Sequence, residues 1–288
     1  MKEEKIISPV WYDDASRGMH IRHTDGVTWL SFPAMDKIDF VRNGFSTRLG
    51  GVSRDCFASM NLSFTRGDNE EDVRENFRRI GRAIGFDPES MVLSDQVHRT
   101  TVRRVGKKDC GSGFTRPKDF HETDGLITDT PGVTLATFYA DCVPLYFVDP
   151  VHRAIGLSHS GWRGTEGRIG QVTLSKMNAE FGSRPEDMIC GIGPSVCFRC
   201  YEVSADVAEK FMAMFAPEYH ADILLAKPNG KYQLNLWEAN RRILLEAGVK
   251  PENIHIAGLC TSCNPDFLYS HRKSGDRRGN LGAFLEIK

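Results

Sequence analysis

The sequence lacks an excess of charge of either sign, and it lacks any long apolar run. Its 37 Lys and Arg residues nearly balance 38 Asp and Glu residues, for a formal net charge of -1 at pH 7. This balance argues against nucleic acid and membrane surfaces as partners, so local groups must recognise any charged substrate. The opening MKEEKIISPVWYDD has no apolar core or small-residue cleavage site, and no later run could span a bilayer. We therefore expect a cytoplasmic protein without a membrane partner.

Internal repeats and low-complexity stretches are absent as well, which argues against a repeat architecture. The 288 residues are 40% hydrophobic, which is enough for one continuous core. We expect a single domain over 1–288, in which an N-terminal hairpin region (1–44) precedes the main core (45–288), as a monomer or a small homo-oligomer. The eight cysteines are expected to be thiols, some of them bound to metal, because a reducing cytosol disfavours disulfides.

The pattern of apolar residues predicts strands in the middle of the chain, with helices interrupting and following them. GMHIRHTDGVTWLSFP (18–33) predicts a hairpin that turns at Asp25 and Gly26, and short β-rich runs follow one another from 91 to 160. The segment 106–125 is rich in Gly, Lys and Asp and is typical of a surface loop. Helical spacing occurs in 70–86, from Thr165 to about Phe181, in 204–215 and in 236–249. This order predicts a mixed α/β (α+β) fold with a central β-sandwich of mixed sheets flanked by helices.

Three residues of metal-ligand type end strand-like runs: His98 in SDQVHRT, Cys142 in YADCVPL and His159 in GLSHSGW. Imidazole and thiolate are usual zinc ligands, and catalytic zinc sites use three protein ligands with a fourth position open. The spacing alone does not show that the three meet, since a single His or a buried Cys is also common in an ordinary core. A zinc site and ordinary packing both stay open on this pattern.

Two pairs of cysteines suggest a different metal site. Cys197 and Cys200 in CFRC, with Cys260 and Cys263 in CTSC, resemble the two halves of a structural zinc site. A long stretch with two helices and a strand separates the pairs, unlike the short loops of zinc ribbons. The alternative is four thiols that are wholly or partly buried.

Several motifs in a fixed order resemble those of a known protein family. They are GFSTRLGGVS, NLSF, DQVH, DGLIT, ADCVPLYFVDP, HSGWRGT, GIGPSVCFRCYEV and CTSCNPDFLYSHRKSGDRRGNLGAF. The chain from about Phe45 to Leu285 is similar to the multicopper polyphenol oxidase (laccase-like) family, whose members are regarded as purine nucleoside phosphorylases with deaminase activity. ADC followed by HxGWRG is a highly specific part of the match. SHRK stands where the family usually has SYRR, so a role of the second basic residue would fall to Lys273.

This resemblance implies a fold, a metal and an activity. The fold is one α/β domain whose β-sandwich is flanked by helices, and the metal is zinc bound by His98, Cys142 and His159. The activity is phosphorolysis of adenosine, inosine, guanosine or methylthioadenosine to free base and ribose 1-phosphate, with adenosine deamination in addition. Purine nucleosides and phosphate are then the partners. Copper would compete for a site of His and Cys on intrinsic affinity.

Deamination in such a site needs a proton donor and acceptor beside the metal. Zinc lowers the pKa of its water from about 15.7 towards about 7, which suits attack on C6 of adenosine. Asp141, directly before Cys142, is the catalytic acid–base candidate. An equally good interpretation of Asp141 is an acceptor of N–H bonds that shapes the turn.

Four polar residues are candidates for substrate binding. Arg163 in GWRG is expected to bind phosphate together with N–H groups at the start of a helix near Thr165, and the alternative is a structural salt bridge. Arg48 in FSTRLGG is expected to contact substrate beside a Gly-Gly turn. Asn61 in MNLSF either binds base or ribose or closes a turn, and Gln96 in SDQVHRT orients a ligand or lines the pocket.

Three other functions compete with this interpretation. A copper-dependent polyphenol oxidase would need many clustered histidines, whereas the nine in this chain are scattered. A Cys-His hydrolase would use Cys142 as nucleophile and His159 as base, without a metal. A binding module without catalytic activity is the third alternative.

Overall fold

The computed structural model of the chain describes residues 7–13 and 17–288. The opening segment MKEEKIISPVWYDD, from which we expect no secretion signal, lies partly outside these residues. Within 7–13 and 17–288, none of the helices combines the length and the apolar character needed to cross a bilayer.

Short strands and helices alternate along the described residues. The strands are β1 (His20–Thr24), β2 (Val27–Ser31), β3 (Val41–Ser46), β4 (Met91–Leu93), β5 (Val102–Arg104), β6 (Gly125–Thr128), β7 (Thr134–Tyr139), β8 (Val143–Asp149), β9 (Ala154–Ser160), β10 (Ile189–Ile192), β11 (Glu202–Val203), β12 (Leu224–Ala226), β13 (Tyr232–Leu234), β14 (Ile254–Ile256) and β15 (Leu281–Ile287). The helices are α1 (Pro33–Asp36), α2 (Glu70–Ile84), α3 (Trp162–Glu166), α4 (Ile169–Phe181), α5 (Ala205–Met214), α6 (His220–Ile223), α7 (Leu236–Glu246) and α8 (His271–Ser274). Short 3-10 helices occupy Asp55–Phe57, Pro88–Ser90, Lys107–Asp109, Pro185–Asp187, Pro217–Tyr219 and Pro251–Asn253.

Two six-stranded sheets pack face to face at the centre of the molecule. The first has the order β1-β2-β3-β15-β7-β4 and the second the order β14-β10-β8-β9-β6-β5. Both are mixed, since β7 is parallel to β4 and antiparallel to β15, and β10 is parallel to β14 and antiparallel to β8. The buried layer between the sheets includes Phe45, Leu135, Tyr146, Leu157 and Leu285. The predicted sandwich of mixed sheets is therefore confirmed.

Helices cover the outer faces of both sheets. Phe77 and Ile80 of α2 pack on the first sheet, and α4, α5 and α7 pack on the second. Strand β8 serves two layers because its side chains alternate: Tyr146 lies between the sheets, whereas Leu145 and Phe147 face the helices.

The hairpin predicted at the N-terminal end is confirmed. Thr24 pairs with Val27, and the two turn residues, Asp25 and Gly26, have positive φ angles of 50° and 77°. The helix predicted over 70–86 is also present as α2, and the Asn69 side chain caps its first turn. Strands β1 and β2 extend the first sheet beside β3.

The helix predicted from Thr165 to Phe181 is wrong at its beginning. A short helix, α3, already starts at Trp162, and α4 begins only after Arg168. The φ of 58° at Arg168 is incompatible with a continuous helix. Arg163 therefore lies inside the first turn of a five-residue helix and not ahead of a long one.

Candidate metal centre and substrate cavity

Connections between the two sheets bring His98 and Cys142 to one end of the sandwich. Strands β4 and β7 are parallel neighbours in the first sheet, so the chain leaves both at the same edge. It then crosses to the second sheet, through 94–101 to β5 and through 140–142 to β8. His98 lies in the first of these connections and Cys142 in the second.

His159 reaches the same place along β9. Leu157 points into the layer between the sheets, and the two-residue period puts His159 on that face, with its ring 5.6 Å from that of Tyr139. Ser160 alternates to the other face, where its Oγ donates to Oδ1 of Asn240 at 2.9 Å. The strand thus presents its imidazole to the interior and its hydroxyl to the helices.

The donor atoms of the three candidate ligands converge. One donor atom from each of His98, Cys142 and His159 lies within 4.8 Å of the others. Sγ of Cys142 is 3.9 Å from Nε2 of His98, and the two imidazole rings meet edge to face with centroids 4.8 Å apart. Thiolate and imidazole at these separations fit one zinc ion, with Zn–N of about 2.0–2.1 Å and Zn–S of about 2.3 Å. His159 is buried and His98 is exposed, so the group is accessible on the His98 side.

Asp124 lies buried behind these ligands, and sequence reasoning did not single it out. Its Oδ1 accepts hydrogen bonds from Nδ1 of His159 at 2.8 Å and from the backbone N–H of His98 at 3.0 Å. Its Oδ2 accepts from the backbone N–H groups of Val97 and Arg99 at 3.1 and 2.9 Å. One carboxylate therefore orients the His159 ring and the loop that carries His98, and leaves Nε2 of His159 free for a metal. The available signal was the acidic residue that opens the DGLIT motif.

The charges of this group act strongly on one another. Burial alone would raise the pKa of Cys142, but the charge and hydrogen bond of His159 lower that pKa to about 6. Burial alone would lower the pKa of His159, but Cys142 and Asp124 raise it to about 9. Burial also opposes ionisation of Asp124, yet hydrogen bonds from His159 and backbone amides lower its pKa. The thiolate that results is the form of cysteine that binds metals.

Gly161 leaves space for two of the ligands. A Cβ atom at this position would lie 2.9 Å from Cδ2 of His98 and 3.1 Å from Sγ of Cys142. Both distances are shorter than ordinary contacts, so a side chain here would displace a ligand. The close approach explains the glycine after His-Ser in HSGWRG.

Asp141 shapes the connection that carries Cys142. Its φ of 96° is unusual for a residue with a side chain. Its Oδ1 accepts from Oγ1 of Thr261 at 2.6 Å, and its Oδ2 accepts from the backbone N–H of Arg272 at 2.5 Å. Both carboxylate oxygens have partners, which favours the turn-shaping interpretation over the catalytic one.

A cavity of about 1020 Å³ opens in front of His98, Cys142 and His159. Gln96 lines it, as one of its two interpretations predicts, and its amide is held by the backbone N–H and C=O of Phe138 at 2.7 and 2.8 Å. The aromatic residues of the lining are Phe64, Phe138, Tyr139 and Tyr201. The basic residues, apart from the two candidate ligands, are Arg66, Lys118, His271, Arg272 and Arg278. Such a lining suits a flat aromatic group together with an anion.

Lys118 comes from the segment 106–125, which is more closely packed than a loose surface loop. Phe114 and Phe120 of this segment are only 6% and 5% exposed. Nζ of Lys118 is paired with the carboxylate of Asp95 at 3.1 Å. Its charge is therefore already balanced within the cavity wall.

Arg278 is a buried guanidinium that forms no salt bridge within residues 17–288. The residue is 6% exposed and its buried Nε has no hydrogen-bond partner among the described residues. Its Nη1 donates to the backbone oxygen of Gly279 at 3.1 Å and to Oδ1 of Asn280, and no ion pair within 17–288 includes it. Burial and the charge of Arg66 lower its pKa to about 10, so it is still positive at neutral pH. Sequence reasoning missed this residue, whose signal is the basic pair in GDRRGN.

The side chains of Arg48 and Asn61 form hydrogen bonds within the protein. The Arg48 guanidinium donates to the backbone oxygens of Ala58, at 2.7 and 2.8 Å, and of Pro265 at 2.6 Å. The Asn61 side chain is fully buried and bonds Ser63 and the backbone N–H of Asn280. Neither lines the cavity, so the geometry supports a turn-closing role for Asn61 and a loop-bracing role for Arg48.

Arg163 is exposed and lies against the ring of Trp162, with its Cζ 4.3 Å from the ring centroid. Within 17–288 it forms no salt bridge, so the structural alternative is not observed there either. Its charge lowers the pKa of Tyr201, although burial raises that pKa more. Arg163 is not part of the cavity lining.

Two groups of side chains among the described residues carry metal-ligand donor atoms. One is the His98, Cys142 and His159 group, and the other consists of four cysteines. Neither contains more than two histidines, which is fewer than a multicopper oxidase centre requires.

The profile of a protein family described as multi-copper polyphenol oxidoreductase laccase matches residues 42–288. The chain belongs to this family. The matched region begins in β3 and includes both groups of metal-ligand side chains and the whole lining of the cavity.

Two bacterial relatives match this chain over most of their own length. The purine nucleoside phosphorylase YlmD of Bacillus subtilis is 37% identical over 249 residues, which are 85% of this chain and 88% of that protein. A purine nucleoside phosphorylase of Deinococcus radiodurans is 38% identical, over 86% of this chain and 89% of its own. The crystal structure of YlmD from Geobacillus stearothermophilus superimposes with a TM-score of 0.85 at 35% identity, over 93% of this chain and 98% of that one.

The SHRK segment, which differs from the family's usual SYRR, forms α8 at the cavity. His271 and Arg272 line the cavity, whereas Lys273 does not. Arg272 donates to the backbone oxygen of Glu202 at 2.9 Å and stacks on Tyr201. Arg272 is therefore placed at the site, and Lys273 is not.

Proposed function

We propose that this protein is a zinc-dependent purine nucleoside phosphorylase that also deaminates adenosine. Its substrates would be adenosine, inosine, guanosine or methylthioadenosine together with phosphate, and its products free base and ribose 1-phosphate. The names of the relatives support the phosphorylase activity. The zinc, the deaminase activity and the residue roles rest on the chemistry of the site.

The observation that carries the proposal is the buried guanidinium of Arg278, whose Nε has no hydrogen-bond partner among the described residues, in one cavity with His98, Cys142 and His159. A buried donor without a partner is costly, and a ligand that accepts from it removes the cost. Phosphate is such a ligand, because its oxygens match the guanidinium fork. We assign phosphate to Arg278 in preference to Arg163, which is outside the lining.

The surrounding residues suit the rest of a nucleoside. Phe64, Phe138 and Tyr201 line the cavity and would provide aromatic contacts for a purine. Phosphorolysis forms a bond between a phosphate oxygen and C1′ of the ribose while the C1′–N9 bond breaks and its electron pair leaves with the base. Arg278 would hold the phosphate for this attack, and Gln96, whose amide is held by Phe138, would line the pocket beside the nucleoside.

The metal in this proposal would be bound by the three candidate ligands. A zinc ion bound by His98, Cys142 and His159 would supply Lewis-acid chemistry at the cavity floor, and copper would compete for the same donors. Asp124 holds His159 in the orientation and tautomer that this binding needs. Deamination of adenosine would use the same centre, with water in place of phosphate.

The test is chromatography of a nucleoside panel incubated with the zinc-loaded protein, with and without inorganic phosphate. The expected result is free base and ribose 1-phosphate only when phosphate is present, and inosine from adenosine in both conditions. Base release that is independent of phosphate would make the protein a hydrolase, and no turnover of any nucleoside would favour a binding module.

A Cys-His hydrolase is the second candidate, because one observation favours it. Cys142, His159 and Asp124 have the order of nucleophile, base and orienting carboxylate, and the pKa of Cys142 is lowered to about 6. Metal analysis together with iodoacetamide labelling separates the two functions. A zinc-bound thiolate is protected until a chelator removes the metal, whereas a free activated thiol reacts at once.

A further inference from the structure

Four cysteines form a second cluster outside the cavity, and the proposed enzymatic function does not use them. The Sγ atoms of Cys197, Cys200, Cys260 and Cys263 all lie within 4.8 Å of one another. Sγ of Cys263 is 3.4 Å from that of Cys200 and 4.0 Å from that of Cys197. We propose that these four thiols bind a second metal ion, a structural zinc ion in a tetrahedral site.

The sulfur separations match the size of such a site. A tetrahedron with Zn–S bonds of about 2.3 Å has sulfur atoms about 3.8 Å apart. The distances from Sγ of Cys263 to Sγ of Cys200 and to Sγ of Cys197 lie on either side of this value. They are well above the S–S bond length of about 2.05 Å, and all four residues are free thiols. The cluster therefore has the dimensions of a site for one ion.

Backbone groups are already arranged around one of the sulfur atoms. Sγ of Cys260 accepts from the backbone N–H groups of Cys197 at 3.2 Å and of Cys263 at 3.4 Å. The CFRC turn is closed by the backbone N–H of Cys200, which donates to the backbone oxygen of Cys197 at 3.0 Å. The hydrogen bonds fix the position of this sulfur atom relative to the CFRC and CTSC turns.

The fold removes the objection that the two pairs are far apart in sequence. The CFRC turn follows β10 and the CTSC turn follows β14, and these two strands are parallel neighbours in the second sheet. Their carboxyl ends lie at one edge, where Ser195 and Cys260 continue the pairing as an isolated bridge. Pairs separated by 63 residues are thus side by side.

A metal at this place would secure part of the cavity wall. Tyr201, directly after Cys200, lines the cavity. Thr261, directly after Cys260, donates to Asp141 at 2.6 Å. Four protein thiolates leave no open coordination position, so the ion would stabilise these segments and would not take part in catalysis.

The experiment measures zinc per chain by mass spectrometry of the full-length protein, purified with a reductant and zinc. Four proteins are compared: wild type, Cys263→Ser, Cys142→Ser and the control Cys110→Ser, whose thiol belongs to neither cluster. Cys263 is chosen because it is the exposed member. Cys263→Ser and Cys142→Ser are each expected to lose half of the zinc, and Cys110→Ser none. Full zinc retention in Cys263→Ser would overturn the proposal, and a failure of the enzymatic function alone would leave it intact.

Cobalt provides a second measurement, which needs no change in the cluster. In Cys142→Ser loaded with Co²⁺, four thiolates should give a sulfur-to-cobalt charge-transfer absorption and the strong visible bands of tetrahedral cobalt. Addition of zinc should remove both. If Cys263→Ser fails to fold, this spectrum decides the question, because absence of the charge-transfer band would exclude a four-thiolate site.

Discussion

Nδ1 of His159 lies 2.8 Å from Oδ1 of Asp124, and the same oxygen accepts the backbone N–H of His98 at 3.0 Å. Two of the three candidate ligands are thereby connected to one buried carboxylate. Because an ionised carboxylate only accepts hydrogen bonds, Nδ1 of His159 carries the proton and Nε2 is available to a metal. Asp124 is therefore a positioning residue for these two ligands.

Asp124→Asn should lower the zinc affinity of this centre by about 10-fold to 100-fold, because an orienting carboxylate typically contributes this much. The measurement is competition with a zinc chelator, together with a thermal melt to monitor folding. The exposed Asp119 supplies the control, and Asp119→Asn should keep the affinity of the wild type. An unchanged affinity in Asp124→Asn would mean that the carboxylate only supports the loop.

Arg278→Lys should weaken the use of phosphate while leaving the zinc content unchanged. Lysine keeps the charge but loses the planar fork, and one charge-assisted hydrogen bond of about 1.5–3 kcal/mol corresponds to about tenfold or more in the KM for phosphate. Phosphate titration measures this effect, and adenosine deamination is the internal control because it uses no phosphate.

Arg163→Lys is the matched variant for the same titration. Because Arg163 is exposed and does not line the cavity, its substitution should change the KM for phosphate much less than Arg278→Lys does. The opposite order of effects would return the phosphate site to the GWRG segment, as the sequence alone predicts.

Gly161→Ala should weaken zinc binding, although it keeps all three ligand residues. The new Cβ would lie 2.9 Å from the His98 ring and 3.1 Å from Sγ of Cys142, so one of them must move. We expect weaker zinc binding in the chelator competition. At Gly106 the nearest atom to an added Cβ is 3.8 Å away, so Gly106→Ala should bind zinc normally. Equal affinity in the two variants would show that the centre tolerates the displacement.

The pH dependence of Cys142 alkylation tests its electrostatic environment. In metal-free protein, a pKa of about 6 means that the thiolate is present above this pH and is lost by protonation below it. Iodoacetamide labelling of Cys142, followed by peptide mass spectrometry, should therefore rise with a midpoint near pH 6. His159→Ala removes the main stabilising charge, so it should move the midpoint to higher pH. A midpoint near that of an ordinary thiol in the wild type would contradict the ion pair.

Cys110 is the internal comparison in this labelling experiment. Burial raises the pKa of the Cys110 thiol, so its labelling should begin at a higher pH than that of Cys142. Zinc should suppress the labelling of Cys142 and leave the labelling of Cys110 unchanged. Labelling of Cys142 that zinc does not suppress would favour the metal-free hydrolase.

The candidate ligands illustrate how far sequence reasoning reaches. Residue type and family resemblance select His98, Cys142 and His159, and the structure brings the three together. Arg48 and Asn61 are selected by the same reasoning, but their polar atoms are already used by nearby backbone groups. A motif shows which polar residues are present, but it does not show which of them have partners already.

The sequence by itself determined several local elements and the chemistry available to them. The hairpin turn at Asp25 and Gly26, the capped helix α2 and the alternation along β8 and β9 all depend on neighbouring residues, whose hydrogen bonds and side-chain period can be read directly. The tertiary structure alone decided that Asp124 orients His159 and that Nε of Arg278 is buried without a hydrogen-bond partner among the described residues. It also decided that two pairs of cysteines, 63 residues apart in the sequence, meet. These relationships depend on which strands are neighbours and where the chain crosses between the two sheets, and no local pattern encodes that arrangement.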